Sequence, residues 1–172
     1  LTEDDSKPSV TLACAQSFIS ESGGSVVCSL SLSHSSSYNV SVDVVYAGTA
    51  AASDYSGAVV SHDIAAHSLT AEWTLSSIDD NVYEGDETIV IDIDTVTNAM
   101  ETTLQQKTLT LQENEVQPNV ALACDQSSIA ENGGSTQCTL SLSHLTIETV
   151  TVNLVYSGSA SSGDYSGAIL AQ

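Results

Sequence analysis

Apolar residues recur at every second position in short runs along this chain. Val26, Cys28, Leu30 and Leu32 alternate with Ser29, Ser31 and Ser33, and Val40, Val42 and Val44 alternate with Ser41 and Asp43. Ala71, Trp73 and Leu75 are spaced by Glu72 and Thr74; Ile89, Ile91 and Ile93 are spaced by Val90 and Asp92. A period of two sends alternate side chains to opposite faces, so each run predicts a half-buried antiparallel strand with its Ser and Thr face in water. About seven such strands in roughly 110 residues, divided by Gly and Ser turns and without an amphipathic helical pattern, predict an all-β, two-sheet sandwich. Trp73 falls in the inward phase and reads as core.

The pattern repeats. Pro8-Ser9-Val10-Thr11-Leu12-Ala13-Cys14 returns as Pro118-Asn119-Val120-Ala121-Leu122-Ala123-Cys124, and from Pro8 to His34 eighteen of twenty-seven positions are identical at an offset of 110. The match continues through Asp54-Tyr55-Ser56-Gly57-Ala58 and Asp164-Tyr165-Ser166-Gly167-Ala168, which marks a tandem repeat. Leu1-Thr2-Glu3-Asp4-Asp5 mirrors Leu111-Gln112-Glu113-Asn114-Glu115. The expected organisation is therefore the last strand of a preceding repeat in residues 1–7, a complete repeat in 8–117 and the first half of another in 118–172. Half a sandwich leaves apolar strand faces uncovered, so neighbouring repeats or identical subunits in an array or filament are the expected partners.

Charge narrows the function. The chain carries 22 acidic against 2 basic side chains, a formal net charge of -20, yet 41% of its residues are hydrophobic, enough for a folded core. Lys7 and Lys107 are the only lysines or arginines. Nucleic acid is not expected as a partner and anionic membrane surfaces are disfavoured, because both are bound through clustered basic residues. No run of 18 apolar residues and no secretory leader pattern is present, so membrane insertion is not expected.

The four cysteines form two equivalent pairs, Cys14 with Cys28 and Cys124 with Cys138, each spanning a turn that contains Gly23-Gly24 or Gly133-Gly134. A disulfide within each repeat is the favoured reading and implies an oxidising, extracellular compartment. Two reduced cysteines on the core face are the alternative, since Cys28 shares the phase of Leu30. A zinc site lacks the CxxC or paired histidines it would need.

Five carboxylates crowd Ser77-Ile78-Asp79-Asp80-Asn81-Val82-Tyr83-Glu84-Gly85-Asp86-Glu87-Thr88, with no basic residue near them in sequence. Together with Ile19-Ser20-Glu21-Ser22-Gly23-Gly24, Gly48-Thr49-Ala50 followed by Ser53-Asp54-Tyr55, and the terminal Glu113-Asn114-Glu115, this stretch resembles the Calx-beta domain. Calx-beta repeats occur in sodium/calcium exchangers, integrin beta-4 and large extracellular adhesins. The resemblance implies an immunoglobulin-like sandwich whose acidic blocks meet at one end and bind Ca2+. Carried over by position, it implies metal ligands at Glu21, Asp54, Asp79, Asp80, Glu84, Glu113 and Glu115, with Glu131 and Asp164 in the second repeat and Glu3 and Asp5 from a preceding unit. The family usually ends on an Asp-rich triplet, whereas this chain has Glu113-Asn114-Glu115. Calcium chemistry agrees, since the ion takes six to eight hard oxygens in flexible geometry, and gathered carboxylates without a cation repel one another. The bland alternative is a solvated acidic surface; Asp86, Glu87, Asp92 and Asp94 are assigned to it.

Other motifs carry less. His34 and His144 share the repeated Ser-Leu-Ser-His, which reads as a strand-end hydrogen-bonding position, and His62 and His67 are assigned no role. No G-x-S-x-G elbow supports a hydrolase, and Asp79-Asp80 lacks the apolar pocket that glycoside hydrolysis demands of its acid, so the chain reads as no enzyme. The expected function is a calcium-binding structural repeat of an extracellular adhesin or filament, with the short stretch between Gln112 and Pro118 stiffened by the ion. A calcium-sensing module of a transporter or receptor, and an accessory module of a secreted enzyme, are the alternatives.

Overall fold

The computed structural model describes residues 6–169, so the calls on Glu3 and Asp5 lie outside the described residues. The described residues form two units. One runs to Asp80 and resumes over Glu84–Asn114; the other takes Asn81–Tyr83 and the chain from Glu115 on.

The first unit is a closed sandwich of two sheets. β1 (Val10–Cys14), β3 (Ser25–Leu32), β7 (Thr70–Ser77) and β5 (Tyr55–Ser56) form one sheet in the order β1-β3-β7-β5. β2 (Phe18–Ser20), β10 (Gln106–Gln112), β9 (Glu87–Thr97), β4 (Val40–Gly48) and β6 (Ser61–Ile64) form the other in the order β2-β10-β9-β4-β6. The expected alternation appears as burial: Val26, Cys28, Leu30 and Leu32, then Val40, Val42 and Val44, then Trp73 and Leu75, then Ile89, Ile91 and Ile93 all face one shared core. β-branched and leucine side chains suit these half-buried pleats. The sheets are not wholly antiparallel, because β2 runs parallel to β10, pairing Ile19 with Leu111. A register shift between Asp43 and Val44 marks a bulge in β4. His62, which the sequence left without a role, is buried beside Ile64, its ring 4.1 Å from that of Trp73 between centroids and tilted by 32°.

In the second unit, β11 (Val120–Cys124) pairs antiparallel with β12 (Cys138–Leu142), and β8 (Val82–Tyr83) pairs parallel with β13 (Leu145–Thr146). Disulfides join Cys14 to Cys28 and Cys124 to Cys138, each between residues directly opposite on neighbouring strands. All four cysteines are bonded, so the disulfide reading and not the reduced alternative is what the structure holds. Two such bonds fit an oxidising setting.

The repeated histidines do make hydrogen bonds. The Ser9 N–H donates to Ser33 Oγ at 3.0 Å, Ser33 Oγ lies 3.1 Å from His34 Nδ1, and His34 Nε2 donates to the Ser6 carbonyl at 2.9 Å. At an offset of 110, Asn119 N–H donates to Ser143 Oγ at 2.9 Å, Ser143 Oγ lies 3.0 Å from His144 Nδ1, and His144 Nε2 donates to the Val116 carbonyl. Because Nε2 carries the proton toward a carbonyl, Nδ1 of a neutral ring accepts from the serine.

Candidate metal centre

Five strand ends of the first unit converge where the acidic residues lie. The β4–β5 loop is tied to β9 by Thr49 and Ala50 N–H groups donating to the Thr88 carbonyl at 3.0 and 3.1 Å, and the end of β2 is tied to that of β10 by Glu21 N–H donating to the Gln112 carbonyl at 2.9 Å. Asp54 is buried within its loop. Its carboxylate accepts from Ala51 N–H at 2.6 Å and Ser53 Oγ at 2.8 Å, which fixes the loop around it.

Asp54, Glu84 and Glu87 each place a carboxylate oxygen so that all three lie within 4.8 Å of one another. Glu87 is the member that sequence reasoning missed. The signal was present: Glu87 stands two residues before Ile89 and so shares the inward phase of Ile89, Ile91 and Ile93. Its Oε2 is buried and has no hydrogen-bond partner. Burial, then the hydrogen bond and charge of Asp54 and the charges of Glu84 and Glu113, push the Glu87 carboxyl up to about 7. Burial chiefly, then Asp54, Asp80 and Glu113, raise the Glu84 carboxyl as well. Neighbouring anions in a partly dry site disfavour the charged form, and a bound cation would reverse that.

Glu21 and Glu113 form a second close approach, with carboxylate oxygens within 4.8 Å of each other. Glu21 is buried at the end of β2. Glu113 is held by backbone: Oε2 accepts from Glu84 and Gly85 N–H at 2.6 and 2.8 Å, and Oε1 accepts from Asn114 N–H at 2.9 Å. That grip ties the β8–β9 loop to the end of β10, and Asp86 adds to it by accepting from Glu113 N–H at 3.0 Å. Asn114, which stands in place of the family's acid, donates from Nδ2 to Asp79 Oδ1 at 3.2 Å. An amide there pairs with a carboxylate that an Asp would repel.

Asp79 and Asp80 are exposed, and Asp80 acts on the group through its charge on Glu84. Glu115 belongs to the second unit. In that unit Glu131 and Asp164 are exposed and neither joins a trio of ligating side chains among the described residues. Asp164 repeats the loop of Asp54, accepting from Ser161 N–H and Oγ, both at 2.8 Å, and these bonds lower its pKa. The first unit thus offers three convergent carboxylates, and Glu87 keeps one buried oxygen without a hydrogen-bond partner. This arrangement suits a hard cation.

A closed sandwich with acidic strand ends gathered at one side is a Calx-beta-like fold. No protein-family profile matches the sequence, and no curated protein matches it. Among solved structures, the chain is similar to CBD12 from CALX1.2, with a TM-score of 0.51 and 14% identity over 83% of this chain and 76% of that one. It is also similar to the calcium binding domain CBD12 of CALX1.1, with a TM-score of 0.49 and 15% identity over 78% of this chain and 74% of that one. The seventh PapD-like domain of human CEP192 gives a TM-score of 0.45 and 11% identity over 68% of this chain and 95% of that one. At these identities the likeness is one of fold.

Proposed function

We propose that the first unit binds Ca2+ and that the chain is a calcium-binding structural repeat of a secreted or cell-surface adhesin or filament, in which the ion stiffens the connection between repeats. The observation that carries this reading is the convergence of Asp54, Glu84 and Glu87 within 4.8 Å, with a buried, unpartnered Glu87 oxygen, in a chain with two basic residues. Glu21, Asp79, Asp80, Glu113 and Glu115 are the further ligand candidates that the family resemblance supplies. Calcium would act by mass action, stabilising the folded unit in proportion to its occupancy. The two disulfides support the secreted or cell-surface placement. A sensing module of a transporter or receptor would use the same centre. It differs in requiring that the ion change the conformation of the domain rather than its stability alone.

Calorimetric titration of the oxidised chain with calcium, after chelation, tests the reading, with Asp54→Asn and Glu87→Gln as variants. Binding is expected in the parent and a loss of at least tenfold in affinity in either variant, together with a calcium-specific rise in melting temperature that equivalent sodium does not reproduce. Calcium uptake that is undiminished in both variants would remove these residues from the centre. No uptake by the parent would leave the acidic end a solvated surface.

A further inference from the structure

A cavity of about 200 Å3 lies at the end of the first unit away from the gathered carboxylates. β9 runs from Glu87, in the carboxylate group, to Thr97, next to Asn98 of the cavity wall. Three segments enclose the space, residues 6–8, residues 34–38 and Asn98, and each is bonded to the next. His34 Nε2 donates to the Ser6 carbonyl at 2.9 Å, Asn98 Nδ2 to the Asn39 carbonyl at 2.8 Å, and Met100 N–H to the Pro8 carbonyl at 2.9 Å. Within the middle segment Tyr38 N–H donates to Ser36 Oγ at 3.0 Å, and the Ser36 carbonyl accepts from His67 N–H at 2.8 Å. The walls are therefore fixed before any ligand arrives, which lowers the ordering cost of binding.

The chemistry of this lining departs from that of the chain as a whole. Among the described residues it includes Lys7, one of two basic side chains, and none of the 22 acidic ones. Ser35, Ser36 and Ser37 supply hydroxyls, Asn98 a carboxamide, and Tyr38 a ring that is 65% exposed. A cation in an acid-free cavity favours an anion there, and exposed charges more than about 8 Å away are largely screened at physiological salt. The internal repeat separates the scaffold from the lining. His34 and Pro8 recur as His144 and Pro118, whereas Lys7, Ser35, Ser37 and Tyr38 give way to Gln117, Leu145, Ile147 and Glu148. The clamp needs only the residues that recur, so the lining answers to something else.

We propose that this cavity binds an acidic sugar unit, a single ring that bears one carboxylate. Lys7 pairs with the carboxylate, the serine hydroxyls and Asn98 exchange hydrogen bonds with the ring hydroxyls, and Tyr38 lies against the ring's C–H face. The volume is below the roughly 300 to 1,000 Å3 of sites for drug-sized ligands and suits one ring, with any neighbouring sugars left in water. A bare anion would use Lys7 but gives no role to Tyr38 and the hydroxyls. A neutral sugar gives none to Lys7.

The test uses the whole oxidised chain, freed of divalent ions on chelating resin, so that no metal bridges protein and ligand and the outcome is independent of the calcium reading. NMR signals are followed while D-glucuronate, D-glucose or acetate is added. Glucuronate is expected to bind with a Kd in the millimolar range, as a single small unit does, and to move the signals of Lys7, residues 35–38 and Asn98 but not those of residues 144–148. Glucose and acetate should each bind at least fivefold more weakly. Lys7→Gln, the exchange already present at position 117, should reduce glucuronate to the level of glucose, and Tyr38→Ala should weaken both sugars at least fivefold. Both side chains are exposed, so the melting temperature should hold in each variant. Glucose binding as well as glucuronate, or glucuronate binding undiminished in Lys7→Gln, would overturn the acidic part of the assignment. Acetate binding as well as glucuronate would overturn the sugar part and leave a plain anion site. Signals at these residues that none of the three moves would overturn the site itself.

Discussion

The same strand-forming sequence meets two fates in this molecule. Val10–Cys14 and Ser25–Leu32 form one side of a sealed core, while Val120–Cys124 and Cys138–Leu142 keep their pairing and their disulfide but remain open on the inner face. Other strands of the first unit have no counterpart among the described residues of the second. Phe18–Ser20 pairs with β10 and Val40–Gly48 with β9 and β6, yet the counterparts 128–130 and 150–158 form no strand among the described residues. Alternation specifies which face a residue prefers. Whether a strand exists depends on the edge it can bond to.

That contrast predicts unequal costs for equal mutations. Leu30 is fully buried and Leu140 partly so. Leu30→Ala should cost about 2 to 5 kcal/mol of unfolding free energy through lost burial and the cavity left behind. Leu140→Ala should cost less than about 0.5 kcal/mol, as surface changes do. Denaturant titration of both variants checks this, and similar costs would mean that the second unit has a sealed core after all.

The disulfides sharpen the same point at a smaller scale. Each closes a loop of 14 residues in separation, for which chain-entropy arguments give about 3 kcal/mol. Replacing Cys14 and Cys28 by Ala should lower the first unit's stability by about that amount, with more from Cys28, which is fully buried. In the second unit, where little packing supports the hairpin, replacing Cys124 and Cys138 should abolish amide protection along β11 and β12. Retained protection there would show that the hairpin stands without its bond.

Much of the first unit was legible in the sequence because period-two alternation, paired cysteines and the 110-residue offset are local signals. The four alternating runs are all core strands, and Trp73 is core. Less legible features depend on distant partners. The parallel pairing of β2 with β10 joins residues about ninety apart, and the bulge at Asp43/Val44 has no local mark. Of the acidic residues, Asp54 and Glu84 stand out by motif, whereas Glu87 reads as solvated surface although its phase points inward. His62 was passed over in the same way, despite alternating with the buried Ile64. In both cases the backbone obeys a periodicity that the residue's own type does not advertise.

Protons act in opposite senses on individual acids of the molecule, and Asp43 of the first unit, lowered by Ser61 and Thr95, sides with Asp164 of the second. In the first unit, burial and neighbouring anions raise Glu87 from 4.5 to about 7, so the folded state holds a proton that the unfolded chain has released. Without calcium, its stability should therefore fall as pH rises from about 4.5 to about 7, by on the order of 1 to 2 kcal/mol once screening of a partly exposed group is allowed for. Glu84, also raised, acts in the same direction. Asp164 is lowered by Ser161 and acts oppositely, its contribution being lost as pH falls. Melting curves in chelator at pH 5 and 7.5 read the slope. Glu87→Gln should flatten it, and an unchanged slope in that variant would place the proton elsewhere.

The smallest expected effect is the one place where the two units should behave alike. The Ser33–His34 and Ser143–His144 clamps draw these partners from residues 6–34 and 116–144 alone. Each ties the segment entering its first strand to the turn after β3 or β12. The bonds are exposed, so each histidine should contribute no more than about 1 kcal/mol. His34→Ala and His144→Ala should therefore speed amide exchange at Ser9 and Asn119 by similar factors, about tenfold or less, with little change in melting temperature. Equal factors would establish the clamp as a self-contained device of the segments 6–34 and 116–144. A clear effect at Ser9 with none at Asn119 would mean that the closed core, and not the histidine, holds the entering segment in place.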